Sequence, residues 1–199
     1  FQCGAGVNTH LMTAINASAY GLIYLTPPAL ADFSAGEAVI RWDLSTYRQS
    51  GRDWWDIWVT PYADNLQLPF YSSVPDLRGA PKNALRVRLN TDNSFTMVAT
   101  RNGVDTPIGG YSWWKYETWL VPDAARRDTF ELRISRTHVQ FGMPGYNKVI
   151  YNTTIPDLGF DAGIVQFGHH SYNPTKDCAP PCGPNTWHWD NVNISPSVP

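Results

Sequence analysis

In the stretch DTFELRIS, residues 128–135, polar and apolar side chains alternate from Thr129 onward. An extended strand places Phe130, Leu132 and Ile134 on one face and the polar side chains between them on the other. One face of such a strand packs on a core and the other meets water, which is typical of antiparallel sheets. The stretch therefore predicts a half-buried strand of an antiparallel sheet.

Similar runs recur along the whole chain, and Gly, Pro, Asn or Asp stand between most of them. Glutamate, a good helix former, occurs only three times, and no window sustains a helical apolar repeat. We therefore predict an all-β fold in which two antiparallel sheets pack face to face as a β-sandwich or jelly roll, with residues 1–199 in a single domain. The predicted strands are 21–26, 37–44, 53–60, 83–90, 94–100, 128–135, 137–143, 148–154, 162–168 and 186–194.

Charge and hydropathy exclude two classes of partner. The formal net charge is -2, and acidic and basic residues are scattered singly, so neither a nucleic acid nor an anionic membrane surface has a basic stripe to bind. No apolar run of about 18 residues is present, which predicts that the chain has no membrane span.

The cysteines and the glycosylation sequons indicate an exported protein. A disulfide between Cys3 and the loop of Cys178 and Cys182, or one across that loop, would staple a secreted sandwich and leave one thiol over. Three reduced cysteines in a cytosolic protein are the alternative. Sequons at Asn16, Asn152 and Asn193 add weak support for a secreted, extracellular location.

The segment from DTFELRIS to QFGHH, residues 128–170, resembles the back half of a concanavalin A-like lectin/glucanase domain. The closing TWHWDNVNIS, residues 186–195, is similar to the final strand of many such jelly rolls. The resemblance implies one convex and one concave sheet, and it implies that a polysaccharide or other glycan is bound or cleaved on the concave sheet.

A strip of aromatic side chains flanks a carboxylate in RDWWDIWVTPY, residues 52–62. In a strand, Trp54, Asp56 and Trp58 share one face, and the residues between them share the other. Indole rings stack on sugar rings and a carboxylate accepts hydrogen bonds from hydroxyls, so we predict that this strip contacts a glycan on the concave sheet. Packed aromatics with a structural aspartate are the alternative.

Two further groups are candidate ligand residues. The stretch YSWWKYETW, residues 111–119, offers Trp113 and Trp114 as stacking platforms, although its faces cannot be assigned. The stretch VQFGHHSYNP, residues 165–174, places Gln166 and His170 on one strand face, with Tyr172 just beyond. These could bind a glycan by hydrogen bonds, serve as an acid and base, or only cap a strand end.

Asp190 is a candidate calcium ligand. Alternation along residues 186–194 predicts that Asp190 shares its face with Val192 and Ile194 and is buried, and a buried carboxylate needs compensation. The family resemblance implies a structural calcium held by an aspartate on the final strand, and hydrogen bonds from backbone amides are the alternative.

The sequence favours a secreted carbohydrate-binding protein over a glycan-cleaving enzyme. A glycoside hydrolase needs two nearby carboxyl groups, and the paired-acid motif of the laminarinase-like branch is missing. A polysaccharide lyase is the other enzymatic alternative, with Gln166, His170, Tyr172 and an arginine such as Arg86 or Arg88 to fill its roles. For a glycan-cleaving enzyme of either type, the candidate catalytic residues are Asp56, His170 and Tyr172. A non-catalytic structural domain of a larger secreted protein is the third hypothesis.

Overall fold

The computed structural model describes residues 2–3, 10–15, 20–46, 54–64, 81–89, 94–112, 128–172 and 185–198. The described residues form strands and two short 3₁₀ turns, Tyr62–Asp64 and Pro144–Tyr146. The strands are β1 (Gln2–Cys3), β2 (Leu11–Ile15), β3 (Tyr20–Leu25), β4 (Leu30–Asp32), β5 (Ala38–Thr46), β6 (Trp54–Thr60), β7 (Ala84–Leu89), β8 (Ser94–Arg101), β9 (Val104–Ser112), β10 (Asp128–Ile134), β11 (His138–Met143), β12 (Lys148–Thr154), β13 (Ala162–Tyr172), β14 (Asn185–Ser195) and β15 (Ser197–Val198).

The strands form two antiparallel sheets, which confirms the predicted all-β sandwich. One sheet has the strand order β1-β2-β14-β5-β10-β11-β12. The other has the order β15-β4-β13-β6-β7-β8-β9, and β3 also pairs with β13. The structure adds strands that the sequence pattern missed: β2, β4 and β9, and the two-residue β1 and β15.

The core lies between the two sheets and is rich in aromatic rings. Trp42 of β5 stacks on Phe130 of β10, with the ring centroids 5.5 Å apart. The same indole meets Trp55 of β6 and Phe167 of β13 edge-on across the sandwich, with centroids 5.9 and 5.5 Å away. Such offset and edge contacts stabilise an aromatic core beyond the burial of its area. The predicted core role of Trp55, together with Ile57 and Val59 of the same strand, is confirmed, because all three are fully buried there.

Strand β14 corrects the predicted face of Asp190. Trp187 and Trp189 point into the core and are buried, whereas Asp190 is only half-buried and Val192 is 42% exposed. The register of β14 against β5 shifts by one residue between Asp190 and Asn193, which is a β-bulge. The bulge reverses the alternation of the faces. Trp189 and Ile194 therefore both pack on the core, although they are an odd number of positions apart. The prediction that Asp190 is buried on the core face is wrong.

The two adjacent histidines of β13 lie on opposite faces of the strand. His169 faces inward and stacks on Trp187 at a centroid distance of 4.1 Å, with the rings within 12° of parallel. Its Nδ1 lies 2.8 Å from the Thr13 hydroxyl oxygen, which also accepts a hydrogen bond of 2.9 Å from the Trp189 indole N–H. The contacts tie β2 to β13 and β14, and full burial lowers the pKa of His169 well below its ordinary value.

We expect His169 to make the stability of the protein depend on pH. The folded state keeps the imidazole neutral, whereas in the unfolded chain it binds a proton near its ordinary pKa of about 6.5. As the pH falls below that value, the unfolded state binds more protons, and the free energy of unfolding should fall by up to about 1.4 kcal/mol per pH unit for this one histidine.

Urea unfolding of the protein and of His169→Gln between about pH 7 and pH 5 measures this dependence. The substitution should reduce the slope of stability against pH, whatever it does to stability at neutral pH. An unchanged slope would show that His169 is not the source.

Candidate ligand-binding face

The face of the eight-stranded sheet that points away from the core carries an unusual set of polar and aromatic side chains. They come from three neighbouring strands, and the backbone register aligns them in rows, with Arg88 beside Asp56 beside Gly168, and Arg86 beside Trp58 beside Gln166. We call this surface the polar outer face. Its members are Trp54, Asp56 and Trp58 of β6, Arg86 and Arg88 of β7, and Gln166, Gly168 and His170 of β13.

Asp56 is at the centre of the polar outer face and has no exposed surface. Its Oδ2 accepts a hydrogen bond of 2.7 Å from the guanidinium of Arg88, and its Oδ1 lies 3.0 Å from Nε2 of His170. A buried carboxylate is tolerated only when a cation and hydrogen bonds compensate its charge, and Asp56 has both.

The electrostatics of the cluster keep Asp56 ionised. Burial works to raise the pKa of its carboxyl, but His170 and Arg88 outweigh burial and hold the pKa well below its usual range. Burial lowers the pKa of His170, and the neighbouring Asp56 opposes that effect only in part. At neutral pH the cluster therefore contains one carboxylate, one guanidinium and one neutral imidazole.

The hydrogen bond to Asp56 fixes the orientation of His170. A carboxylate only accepts, so Nε2 of the neutral imidazole carries the proton and Nδ1 is the unprotonated nitrogen. The ring stacks on Trp54 at a centroid distance of 4.8 Å and meets Tyr24 of β3 edge-on at 5.6 Å. The guanidinium carbon of Arg88 lies 5.8 Å from the centre of the Trp54 ring, so that one indole supports both partners of Asp56.

Gly168 leaves room for the hydrogen bond between Asp56 and His170. A Cβ at this position would meet Oδ1 of Asp56, the Tyr24 ring and Nε2 of His170 at once. Because the hydrogen bond between Asp56 and His170 runs past this backbone, only glycine fits between the two side chains.

In the second row of the face, the side chain of Gln166 makes only part of its possible hydrogen bonds. Gln166 is fully buried and donates from Nε2 to the Thr26 hydroxyl at 3.1 Å. In the described part of the chain, its Oε1 and the hydroxyl of the fully buried Thr60 have no hydrogen-bond partner. Beside them the guanidinium carbon of Arg86 lies 5.3 Å from the centre of the Trp58 ring. Unpaired buried polar atoms are costly, so a water or a ligand hydroxyl that hydrogen-bonded to Gln166 or Thr60 would relieve that cost.

The predicted strip of Trp54, Asp56 and Trp58 does share one face, but that face is not open to solvent. Trp54 is 8% exposed and Trp58 is 3% exposed, which fits the alternative of packed aromatics with a structural aspartate. Exposure rises toward the neighbouring strands: Tyr24 and Arg86 are half-buried, and Thr26 is exposed. A ligand on this face would therefore meet the half-buried rim before the central tryptophans.

The other predicted site residues have different outcomes. Gln166 and His170 lie on the polar outer face, as the alternation of β13 predicted. Tyr172 is the last residue of β13. Trp113 and Trp114 lie outside the described residues, as do Cys178 and Cys182, so their roles in stacking and in a disulfide stay predictions.

Asp190 lies near a second acidic residue, Asp43, which is its register partner across β14 and β5. Asp43 accepts hydrogen bonds from the Thr129 hydroxyl at 2.6 Å and from the Asn191 side chain at 2.7 Å, and Asp190 accepts one from the Asn191 amide at 2.9 Å. Within the described ranges, no group of three or more His, Cys, Asp or Glu side chains could hold a metal. Calcium binding at Asp190 therefore stays a prediction. The burial that suggested it is not observed, because Asp190 is only half-buried.

Sequence reasoning missed how the face is assembled. The alternation of β7 shows that Arg86 and Arg88 point away from the core. Nothing in the amino-acid sequence, however, places Arg88 beside Asp56. Tyr24 gave no recognisable signal. A glycine between Gln166 and His170 on the same strand face was a hint that another group approaches the backbone closely.

The two sheets and their strand order define a concanavalin A-like, galectin-like β-sandwich, which confirms the fold that the sequence resemblance implied. A protein of unknown function with a galectin-like fold from Bacillus subtilis is similar at a TM-score of 0.57 and 14% identity, over 99% of this chain and 86% of that one. The metal-free carbohydrate recognition domain of Emp46p gives a TM-score of 0.54 at 13% identity, over 93% of this chain and 80% of that one. The Ca²⁺-bound exoplasmic/lumenal domain of VIP36 gives 0.51 at 10% identity, over 88% and 76%.

Comparison with protein-family models and with curated proteins found no match. The similarity to solved structures therefore defines the fold alone. Across the described residues, no helix is long and apolar enough to span a membrane.

We expect the loss of Arg88 to be far more damaging than the loss of its whole ion pair. Arg88→Met leaves a buried carboxylate without its cation and should destabilise the protein by about 3–5 kcal/mol. The double substitution Asp56→Asn with Arg88→Met removes both charges and should recover a large part of that loss. Denaturant unfolding of both variants measures the difference.

A matched control is Arg136→Met, which breaks the exposed pair with Asp157 at 2.9 Å. Its cost should be about 0–1 kcal/mol, since exposed pairs contribute little. Equal costs for Arg88→Met and Arg136→Met would contradict the assigned role of the buried pair.

Gly168→Ala should disrupt the cluster with a single methyl group. The added Cβ must displace Asp56 or His170, which we expect to cost about 1–3 kcal/mol of stability by overpacking. Gly109→Ala is the control within a strand, because a Cβ there lies 3.5 Å from the Tyr151 ring, an ordinary contact. If thermal unfolding shows the two variants to be equally stable, the close packing at Gly168 is not what holds the cluster.

Proposed function

We propose that this protein is a secreted carbohydrate-binding protein that recognises a poly- or oligosaccharide through the polar outer face. The observation that carries the proposal is the arrangement of this face, where indoles, guanidinium groups and amide and hydroxyl groups converge on the side of a sheet that the core does not need. Sugars present flat C–H surfaces edged with hydroxyls, which such groups match.

The two rows of the face have different parts in the proposal. The cluster of Asp56, Arg88 and His170 satisfies its own charges and serves to hold the sheet surface rigid. The row of Arg86, Trp58 and Gln166 provides the contacts to the sugar. Gln166 Oε1 is a buried acceptor without a hydrogen-bond donor, and Arg86 is half-buried at the rim. A sugar hydroxyl is a suitable donor for Gln166. Trp113, Trp114 and Tyr172 remain proposed further contacts.

The structural comparisons support the class of ligand only through the fold. Emp46p shares the fold, and its domain is described as a carbohydrate recognition domain. VIP36 also shares it and has an exoplasmic/lumenal domain, which is consistent with the proposed export of this chain. Neither comparison identifies the glycan.

A polysaccharide lyase is the second candidate, and one observation favours it over a hydrolase. Arg88 and His170 meet at Asp56, so a cationic group and an imidazole with an unprotonated Nδ1 lie in one cluster. Such groups suit the removal of a proton from an acidic sugar. On the described polar outer face, Asp56 is the only carboxylate, and its lowered pKa keeps it from donating a proton, so the paired acids of a hydrolase are not assembled there.

The test is a glycan array followed by calorimetry of the best ligand with the protein and with Arg86→Ala. We expect the substitution to weaken binding by at least about tenfold, since it removes a rim contact without opening the buried cluster. Arg133→Ala is the control, because Arg133 lies on the other sheet and pairs with Glu131 and Glu37.

The same samples are assayed for new reducing ends and for the ultraviolet absorbance of an unsaturated product. Binding without product supports the proposal, and absence of any bound glycan or equal binding by Arg86→Ala would overturn it. Product formation that His170→Ala abolishes would establish the lyase instead.

A further inference from the structure

The three N-glycosylation sequons of the chain occupy different places in the fold. The first, at Asn16, lies outside the described residues. The sequon of Asn152 belongs to β12, which stands last in the seven-stranded sheet, and that of Asn193 belongs to β14, which lies between β2 and β5. Both of these asparagines are exposed. A bulky oligosaccharide fits a folded protein only at such a surface position.

The side chain of Asn152 points away from the core of the sandwich. Its neighbour Tyr151 points across the core, where the Tyr151 hydroxyl donates a hydrogen bond of 2.6 Å to the carbonyl of Phe95 on the other sheet. Successive side chains of a strand lie on opposite faces, so Asn152 is on the outer side of the seven-stranded sheet. The polar outer face belongs to the eight-stranded sheet, so an oligosaccharide at Asn152 would lie on the opposite side of the sandwich.

The geometry around Asn152 suits an acceptor. Nε2 of His138 lies 2.9 Å from Oδ1 of Asn152, and this contact engages the amide oxygen rather than Nδ2, the atom to which an oligosaccharide is attached. Thr154, whose hydroxyl completes the sequon, lies on the same face of the strand and is also exposed. Strand β12 ends at Thr154, at the outer edge of the described sheet, so this end of the strand opens locally at little cost.

The sequon of Asn193 is a poorer acceptor. Its hydroxyl residue, Ser195, is followed directly by Pro196. Transfer requires the hydroxyl two positions after the asparagine to approach the amide, as it does in a tight turn. Proline restricts the preceding residue to extended backbone, which disfavours that approach. The sequon of Asn152 is followed by Ile155 and has no such restriction.

We propose that Asn152 is the acceptor of an N-linked oligosaccharide. The donor is an oligosaccharide joined to a lipid through a pyrophosphate, and the enzyme is an oligosaccharyltransferase of the secretory compartment. Nδ2 of Asn152 attacks C1 of the first sugar and loses one proton, while the bond from C1 to the pyrophosphate oxygen breaks and the lipid pyrophosphate leaves with its electron pair. The proposal rests on the export that the proposed function includes, and it does not depend on glycan binding by the polar outer face.

The test is translation of the full chain behind a cleavable signal sequence in the presence of eukaryotic microsomes. Only chains protected from added protease are scored, so every scored chain has reached the lumen. We expect a form of lower electrophoretic mobility that endoglycosidase H converts to the unmodified size. Asn152→Gln should lose one oligosaccharide, and Thr154→Ala should lose the same one although Asn152 is intact.

Two control variants keep the sequon of Asn152. Thr153→Ala changes only its middle residue, and Asn193→Gln removes the other described sequon, so both should still be modified at Asn152. Lumenal chains without any oligosaccharide, or an Asn152→Gln chain that carries as many as the unchanged protein, would overturn the proposal. A glycan array without a bound ligand would count against the proposed function and not against this acceptor, because the two lie on different sheets.

Discussion

The buried charge of Asp56 is the constraint on which the polar outer face depends. A carboxylate with no exposed surface must find its compensation within the protein, and Asp56 finds it in Arg88 on one neighbouring strand and His170 on the other. The requirement fixes the register of three strands at once, because a shift of one residue in any of them would turn that strand's member of the cluster to the wrong face. It also excludes any side chain at Gly168, where the two partners approach.

The sequence was sufficient to predict the architecture because the strands alternate strictly. Each run of β6, β7 and β10 has one continuous apolar face, and those faces form part of the observed core. The same alternation predicted that Trp54, Asp56 and Trp58 lie on one face of the strand and Trp55 on the other. Alternation is a local property, so no knowledge of strand order was needed for that inference.

The parts that sequence reasoning could not predict are those set by strand pairing and by irregular backbone. Arg88 and Asp56 are 32 positions apart, and only the register of β6 against β7 brings them together. The one-residue bulge after Asp190 reverses the alternation of faces along β14. Counting back from Ile194 in steps of two therefore gave the wrong face for Asp190. Alternation also cannot say whether a face is open to solvent, so it could not show that Trp54 and Trp58 are buried.

The position of the Asp56 cluster argues for a functional rather than a stabilising origin. A buried ion pair contributes little more to stability than well-packed apolar side chains of the same size would, and the outer side of a sheet has no need of either. What the cluster does provide is an immobile surface in which each charge is already satisfied, so that little reorganisation is required when a ligand binds beside it. Its chemistry also limits that function: Asp56 remains an ionised acceptor, and the one proton of His170 is held toward it. A surface of this kind is better suited to holding a sugar than to protonating a glycosidic oxygen.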